Sequence, residues 1–466
     1  QESYLEKIKC IYIDPPYNTG NDFIYNDKFV NENELMESGQ TDEYNNKLVT
    51  NTDSNGKFHS AWLSMMYARL KLARNLLTED GAIFVSIDYN EVANLRKIMD
   101  EIFGEKNFQR EIIWRIGWLS GYKTMAPNFI RNHDTILFYS KSNDKLDFHK
   151  FYIENNDFKP LVKKDSNVIS KLRDLGLNEE KQNELLKFIN YDNRPQKYPI
   201  EDTWNSNEYD DLNSIAIVSF SGEKISKILH IDEEFKGQKS LKMLSRIIQS
   251  ITNKDDIVLD FFSGTSSTAH AVMIENANFQ KSLKYIMVQV PVVIDCDFDS
   301  DKTQYGNICD MAQARIKASA NKIREQGYSD IDYGFRVYKV DSSNMKDVYY
   351  TPTDLKQSQL NMFESNIKED RTAEDLLTQV ILDLGLTLDL SIEKRKINNN
   401  NVYFVENNNL VACFDDIIDI NIVDEICKCN PLKIVFKESS FKTDSDKINF
   451  FEKIKKSSND TEINII

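Results

Sequence analysis

Segments with strand character alternate with segments that carry apolar residues at helical spacing over the first 116 residues. A buried strand is predicted near the start by "IKCIYID", which is rich in Ile and Tyr and ends at a polar break. The alternating segments are strand 8–14, helix 60–77, strand 80–88, helix 91–104 and strand 110–116. Such alternation is typical of a parallel, doubly wound sheet, so it predicts an α/β fold.

The alternation stops after residue 116 and returns after residue 235. Residues 117–235 are rich in Asn, Asp, Lys and aromatic residues, which predicts an inserted domain with a short strand at 135–142 and a polar helix at 166–188. The later segments are helix 241–252, strand 255–262, helix 267–277, strand 285–290 and helix 308–326. The insertion therefore separates two halves of one predicted sheet, residues 1–116 and 236–340.

The end of the chain is predicted to form a separate small domain. A chain of 466 residues is too long for one compact core. Residues 341–370 are predicted to be a linker, and residues 371–466 a small α/β domain. Its predicted elements are helix 373–385, hairpin 402–414 and strand 432–436.

Charge and cysteine usage exclude some classes of protein. The net charge of −16 argues against a nonspecific polyanion binder, but a local basic face could still read a DNA sequence. The six scattered cysteines are expected to be reduced thiols rather than metal ligands. The longest apolar runs fall short of the ~20 residues of a membrane span. We therefore expect a cytoplasmic protein with no metal site and no membrane partner.

The start of the chain carries no recognisable signal peptide. It begins at Gln1 rather than Met, so we expect that an N-terminal piece is missing from this sequence.

The segment "DPPY", from Asp14 to Tyr17, follows the first strand directly. Pro15 and Pro16 restrict the backbone to an extended turn, which would hold Asp14 and Tyr17 at the carboxyl end of the sheet. A carboxylate beside an aromatic ring suits a flat base that carries an exocyclic amine, because the ring stacks on the base while the carboxylate accepts from the amine. A proline-stiffened turn with a capping aspartate is the purely structural alternative.

A second candidate site lies in "DDIVLDFFSGTSSTAHAVM", a predicted strand, a short loop and a helix. The first strand-to-helix turn of a doubly wound sheet is a common position for a nucleotide-like cofactor. Gly264 allows close approach of the backbone, and a helix that begins near Ser267 directs free N–H groups at an anionic group. The dinucleotide pattern and the Walker lysine are absent, which argues against NAD, FAD and nucleotide hydrolysis. The alternative is simply a capped helix after a buried strand.

Together, "DPPY" and "FFSGTSSTAHAVM" resemble the S-adenosylmethionine-dependent amino-methyltransferases of DNA, in the motif order of their β group. Further stretches, among them "NTGNDFIYNDKF", "NICDMAQARI" and "GFRVYKVDSSN", resemble the modification subunit of type III restriction–modification systems. The resemblance implies a Rossmann-like methyltransferase sheet with helices on both faces. It also implies that residues 1–116 are the catalytic half, 117–235 a target-recognition domain and 236–340 the cofactor half, followed by the linker and the small α/β domain.

The resemblance also implies residue roles. Asp14 and Tyr17 would hold a flipped adenine for methylation at N6, with Pro15 and Pro16 shaping the loop. The implied S-adenosylmethionine contacts are Asp14, Lys239, Ser240, Asp260, Phe261, Phe262, Ser263, Gly264, Thr265 and Gln289. Lys123 and Arg131 are candidate DNA contacts, and no metal is implied. The implied partners are double-stranded DNA, a second copy of the chain and a helicase–nuclease restriction subunit.

The sequence departs from the family pattern at three places. Ser266 replaces the usual second glycine of the cofactor loop, Gln289 replaces the common acid after the next strand, and "FKGQKSLKML" replaces a Pro-Lys-Pro-like stretch. Methylation of cytosine N4, or of an RNA or protein amide, stays open, although those relatives more often carry Ser or Asn at the position of Asp14. A recognition subunit without catalysis is the remaining alternative, against which Asp14, Tyr17 and Gly264 count.

Overall fold

The structure, a computed structural model, describes most of the chain. The described residues are 2–19, 23–24, 36–41, 47–50, 58–115, 127–205, 207–210, 212, 228–229, 239–293, 305–346, 367–441 and 443–466. They divide into two compact units, Leu5–Gly334 and a second that comprises Gln1–Tyr4 with Phe335–Ile466. No helix in these ranges is long and apolar enough to cross a membrane.

The larger unit combines a seven-stranded sheet with helices. Its strands are β1 (Ile8–Ile13), β2 (Phe23–Ile24), β3 (Met36–Thr41), β4 (Lys47–Thr50), β5 (Leu77–Ile87), β6 (Phe108–Arg115), β7 (His133–Ser140), β8 (Tyr152–Glu154), β9 (Lys197–Pro199), β10 (Thr203–Trp204), β11 (Ile257–Asp260) and β12 (Lys284–Met287). Its α-helices are α1 (Phe58–Leu76), α2 (Val92–Phe103), α3 (Ser166–Asp174), α4 (Glu179–Lys187), α5 (Leu241–Ile251), α6 (Ser267–Phe279) and α7 (Ile308–Glu325).

The large sheet has the strand order β10-β6-β7-β5-β1-β11-β12. Strand β1 lies in the interior of the sheet and pairs in parallel with both β5 and β11, while β12 pairs in parallel with β11. Strand β7 is antiparallel to both of its neighbours, β5 and β6. The remaining strands form a small sheet of β2, β4 and β3 and a ribbon of β8 and β9.

Helices cover both faces of this sheet, as the alternation predicted. One face packs into a cluster in which Cys10, Tyr12 and Phe84 meet apolar residues of α5 and α6. On the other face, Ile11, Ile13, Ile83 and Val85 are also fully buried. Because neighbouring residues of a strand point to opposite faces, a core strand buried on both sides needs a layer on each. The α/β fold class is therefore confirmed.

The stretch 117–235, predicted to be an inserted domain, is joined to the large sheet through two strands. Strands β7 and β10 from this stretch belong to the large sheet, and β7 lies between β5 and β6. The predicted polar helix at 166–188 is two helices, α3 and α4, because Gly176 has a φ of +79° and Asn178 caps a new helix. Among the described residues of this stretch, 133–140 and 203–204 belong to the large sheet.

The smaller unit is a five-stranded sheet with helices on both faces. Its elements are β13 (Ile392–Ile397), β14 (Asn400–Val405), β15 (Leu410–Cys413), β16 (Lys433–Phe436), β17 (Glu462–Ile465), α8 (Ala373–Asp383), α9 (Ile422–Cys427) and α10 (Asp444–Ser457). Helices α9 and α10 pack on one face and α8 on the other. The predicted hairpin corresponds to β14 and β15, which pair antiparallel. Of the predicted linker, residues 347–366 lie outside the described ranges.

Candidate active site

Two loops leave adjacent parallel strands at the same edge of the large sheet. Asp14 follows β1 directly, and Asp260 is the last residue of β11. The register pairs Ile11 with Leu259, so the two strands end close to the same level. Ligands of open α/β sheets bind outside the carboxyl ends of the strands, which makes this edge the candidate site.

The first loop is the segment from Asp14 to Asn18 that follows β1. Its residues Asp14 and Tyr17 contact each other, and both contact Lys239. The Tyr17 hydroxyl donates to Asp14 Oδ1 over 2.9 Å. Lys239 Nζ donates to the Tyr17 hydroxyl over 2.7 Å and lies 3.0 Å from Asp14 Oδ1. No residue in the described part of the chain donates to Asp14 Oδ2. One carboxylate oxygen is thus held twice, and the other is left to accept from a ligand.

Burial determines the acid–base behaviour of this group. It raises the pKa of Asp14, while Lys239 and the Tyr17 hydroxyl act in the opposite direction. Burial and the neighbouring Asp14 together raise the pKa of Tyr17 well above its usual value. Tyr17 therefore stays neutral and acts as a hydrogen-bond donor and an aromatic surface.

The first loop is fixed from behind by α1 and the start of α2. Trp62 Nε1 donates to the Pro16 carbonyl over 2.8 Å. Asn18 has a left-handed backbone, with a φ of +58°, and its amide donates to the fully buried Glu91 over 2.5 Å. Glu91 also contacts His59 Nδ1 at 2.6 Å and accepts from Asn94 at 2.9 Å. These contacts fix the backbone on both sides of Tyr17.

Glu91 was missed by the sequence reasoning, which treated it only as the start of a helix. It occupies the N-cap position of α2, yet its side chain makes no capping bond to that helix. Glutamate is an unusual residue at an N-cap. That local mismatch is the signal that could have indicated a role elsewhere.

The second loop joins β11 to α6, and its hydrogen bonds centre on Asp260, whose side chain is buried. Its two oxygens accept from the Phe262 N–H at 3.1 Å and from the Thr268 hydroxyl at 2.6 Å. Burial raises the pKa of Asp260 to about 7, and these two hydrogen bonds oppose that shift. The carboxylate thereby joins the end of β11 to the first turn of α6.

Gly264 marks the open side of this loop. Its φ is +51°, and a side chain added there would meet no described atom within 4 Å. Its N–H donates to Gln289 Oε1 over 2.8 Å, which links the loop to the chain that follows β12. Space beside backbone at the N-terminus of α6 fits a cofactor with an anionic group.

Arg315 supports the same loop and was also missed. Its side chain is fully buried in α7 and donates to the Thr265 and Ser267 hydroxyls over 2.9 and 2.8 Å. The signal was present in the sequence, because an arginine at position 315 shares the apolar face of its helix with Met311 and Ile316.

The other predicted site residues lie in varied surroundings. Phe262, Ser263 and Thr265 are buried in the second loop, and Ser240 caps α5 through the Met243 N–H. Arg131 pairs with Asp134 at 2.5 Å and lies over the Tyr89 ring. Lys123 lies outside the described residues. The predicted roles of these residues in binding stay predictions.

Comparisons with known proteins match these motifs. A family model described as DNA methylase (N6_N4_Mtase) matches residues 8–291. The EcoP15I Mod subunit of a type III restriction-modification enzyme from Escherichia coli is 28% identical, covering 95% of this chain and 79% of its own length. The StyLTI Mod subunit from Salmonella typhimurium is 30% identical, with 78% and 60% covered.

Two further proteins are similar to this chain. The EcoPI Mod subunit of Escherichia phage P1 is 26% identical over 86% of this chain and 72% of its own length. Among solved structures, the cytosine-N4-specific PvuII DNA methyltransferase is 11% identical, with a TM-score of 0.36, over 69% of this chain and 87% of that one.

The family model covers more than half of the chain and includes both loops. The predicted resemblance to DNA amino-methyltransferases is therefore confirmed. Similarity to three type III Mod subunits over most of the chain confirms the more specific resemblance. The chain belongs to the DNA methylase family.

Proposed function

We propose that the chain is a site-specific DNA adenine-N6 methyltransferase that uses S-adenosylmethionine and serves as the modification subunit of a type III restriction–modification system. The observation that carries the chemistry is the geometry of Asp14. Its Oδ1 is held by Tyr17 and Lys239, while Oδ2 has no donor among the described residues. A carboxylate in this state is ready to accept a hydrogen bond from an exocyclic amine.

The first loop would hold the target base. The Tyr17 ring stacks on a base rotated out of the duplex, and Asp14 Oδ2 accepts a hydrogen bond from the N6 amine. That hydrogen bond draws the nitrogen lone pair out of conjugation with the ring and makes it more nucleophilic. The negative charge of Asp14 also stabilises the positive charge that develops on N6 as the new bond forms.

The second loop would hold the cofactor. When bound, S-adenosylmethionine supplies an electrophilic methyl group. The open space beside Gly264 and the N-terminus of α6 support this assignment. Gln289 and Asp260 stiffen the loop from two sides, and Arg315 supports it from α7. The chain accelerates transfer mainly by holding the amine and the methyl donor in line.

The partners and the domain roles follow from the relatives and from the predicted motifs. The names of the matched type III Mod subunits support double-stranded DNA as substrate and a restriction subunit as partner. We assign target recognition to residues 117–235, of which the part between β7 and β10 lies outside the large sheet. A homodimer in the bacterial cytoplasm completes the proposal.

Labelled methyl transfer to DNA tests the function. The protein is incubated with radiolabelled S-adenosylmethionine and double-stranded DNA. One portion of the DNA is digested to nucleosides to identify the methylated base, and another is sequenced by a single-molecule method to map the methylated positions. We expect N6-methyladenine at one short asymmetric sequence. N4-methylcytosine as the product would contradict the adenine assignment, and label recovered only in RNA or protein would contradict a DNA substrate.

A further inference from the structure

Lys239 lies at a position where a lysine is locally unfavourable. It precedes Ser240, the N-cap of α5, and the N-terminal end of a helix carries a partial positive charge. Its side chain is nevertheless only 19% exposed. A largely buried cation at the positive end of a helix requires compensation from elsewhere, and here it comes from Asp14 near the start of the chain.

The compensating contacts form a triangle. Lys239 Nζ donates to the Tyr17 hydroxyl over 2.7 Å and lies 3.0 Å from Asp14 Oδ1, to which that hydroxyl also donates. Rotation of the Asp14 carboxyl group would break two contacts at Oδ1. The orientation of Oδ2 toward a ligand is therefore set by Lys239, together with Tyr17.

We propose that Lys239 is a positioning residue for methyl transfer, holding Asp14 Oδ1 and the Tyr17 hydroxyl so that Oδ2 meets the target amine. This inference rests on the proposed function and assigns Lys239 to the base pocket rather than to the cofactor. It names a residue that acts through Asp14, since its Nζ is occupied by contacts with the first loop.

Lys239 also affects the protonation of Asp14. The titratable groups that face Asp14 are Lys239, Tyr17, Tyr12, Asp134 and Asp260. Of these, Lys239 is the cation. Burial raises the pKa of Asp14, the negative Asp134 raises it further, and Lys239 lowers it. Without Lys239, Asp14 would be protonated over a wider pH range, and a protonated carboxyl group is a weaker acceptor for an amine.

Three variants separate this role from others. Lys239→Met keeps the length of the side chain and removes its charge, and Lys239→Arg keeps the charge. Lys242→Met is the matched control, because Lys242 is an exposed lysine one residue into the same helix. Each variant is compared with the wild type in single-turnover methyl transfer across pH, in binding of S-adenosylhomocysteine by calorimetry and in thermal unfolding.

We expect Lys239→Met to slow single-turnover transfer by about 10- to 100-fold at neutral pH. The acidic limb of its pH–rate profile should move to higher pH, because Lys239 lowers the pKa of Asp14 and its charge is lost in this variant. Lys239→Arg should restore most of the profile, and Lys242→Met should match the wild type. Binding of S-adenosylhomocysteine should be unchanged in all three.

Two results would overturn the inference. One is a Lys239→Met variant with wild-type rate and wild-type pH profile. The other is a variant with weakened S-adenosylhomocysteine binding and a normal profile, which would make Lys239 a cofactor contact. Failure of the proposed function differs from both, because the wild type itself would then transfer no methyl group to adenine.

Discussion

The loops that follow β1 and β11 end adjacent strands of one sheet, yet they are held in different ways. The loop from Asp14 to Asn18 is fixed by side chains from three distant segments, with Trp62, Glu91 and Lys239 as the contacts. The loop after Asp260 is fixed largely by its own residues and by the helix that it begins. From farther along the described part of the chain, it is contacted by Val288, Gln289 and Arg315.

The difference follows from what each loop has to present. In the proposed function the first loop orients two side chains, and the orientation of a side chain depends on tertiary contacts. The second loop presents backbone and the end of a helix, which local hydrogen bonds can fix. The comparison predicts that substitutions of residues far along the chain from the first loop lower the rate of methyl transfer. Substitutions within the second loop should change mainly the free energy of unfolding.

Among substitutions of residues that support a loop from outside it, the largest effect is expected from Glu91→Gln. The amide keeps the shape of the side chain but loses the charge that holds Asn18, His59 and Asn94 together. Displacement of the loop by about 1 Å would slow methyl transfer by about 100-fold. Single-turnover kinetics measures this rate, and Glu101→Gln, on an exposed position of α2, is the control. A wild-type rate in Glu91→Gln would show that the first loop does not depend on this contact.

A pH-dependent effect on stability is expected from Asp260→Asn. The pKa of Asp260 is raised by burial to about 7 in the folded chain, above the ordinary value of 3.8. Because the folded chain binds this proton more tightly than the unfolded chain, protonation of Asp260 adds to the free energy of unfolding of the wild type. The contribution is complete below about pH 4 and is lost as the pH rises through about 7. Asparagine does not titrate, so the stability of the variant relative to the wild type should rise by about 2–3 kcal/mol from about pH 5 to about pH 8.

Urea unfolding of both proteins across this pH range measures the difference. Asp255→Asn, an exposed position just before β11, is the matched control and should not show the same rise. A difference in unfolding free energy between Asp260→Asn and the wild type that stays constant with pH would contradict a raised pKa of Asp260 in the folded chain.

The smallest effect is expected from Ser266→Gly. Ser266 has a left-handed backbone, with φ +59° and ψ +43°, and its side chain makes no capping bond. Glycine adopts this conformation without steric cost, so the variant should be as stable as the wild type or up to about 1 kcal/mol more stable. Gln280→Gly, which replaces the left-handed residue at the other end of α6, should behave similarly. A loss above about 1 kcal/mol in urea unfolding would contradict this account of Ser266.

The sequence predicted the sheet well because each of its core strands is a compact apolar run. Elements β1, α1, α2, α5 and α6 lie where periodicity placed them, to within a few residues. Strand β7 was found, but its membership of the large sheet was not, since pairing between distant strands leaves no local pattern. Strand β13, with four charged residues in "IEKRKI", was missed because it lacks strict apolar alternation.

The two loops were predictable to different degrees for the same physical reason. Asp14, Tyr17 and Gly264 stand in short motifs whose chemistry is visible in the sequence. Glu91 and Arg315 act through contacts that span dozens of residues, and only their unusual local positions could have indicated them. Lys239 was predicted at the cofactor by resemblance, whereas its contacts in the structure are with Asp14 and Tyr17.

The division of labour between the two loops is tested most directly by Asp14→Ala. Methyl transfer to DNA and binding of S-adenosylhomocysteine and of DNA are measured on the same preparation. Transfer should fall by about 1,000-fold or more, because the acceptor for the amine and its stabilising charge are both lost. Binding of S-adenosylhomocysteine and DNA should stay largely intact. Unchanged turnover in Asp14→Ala would contradict the assignment of the chemistry to the first loop.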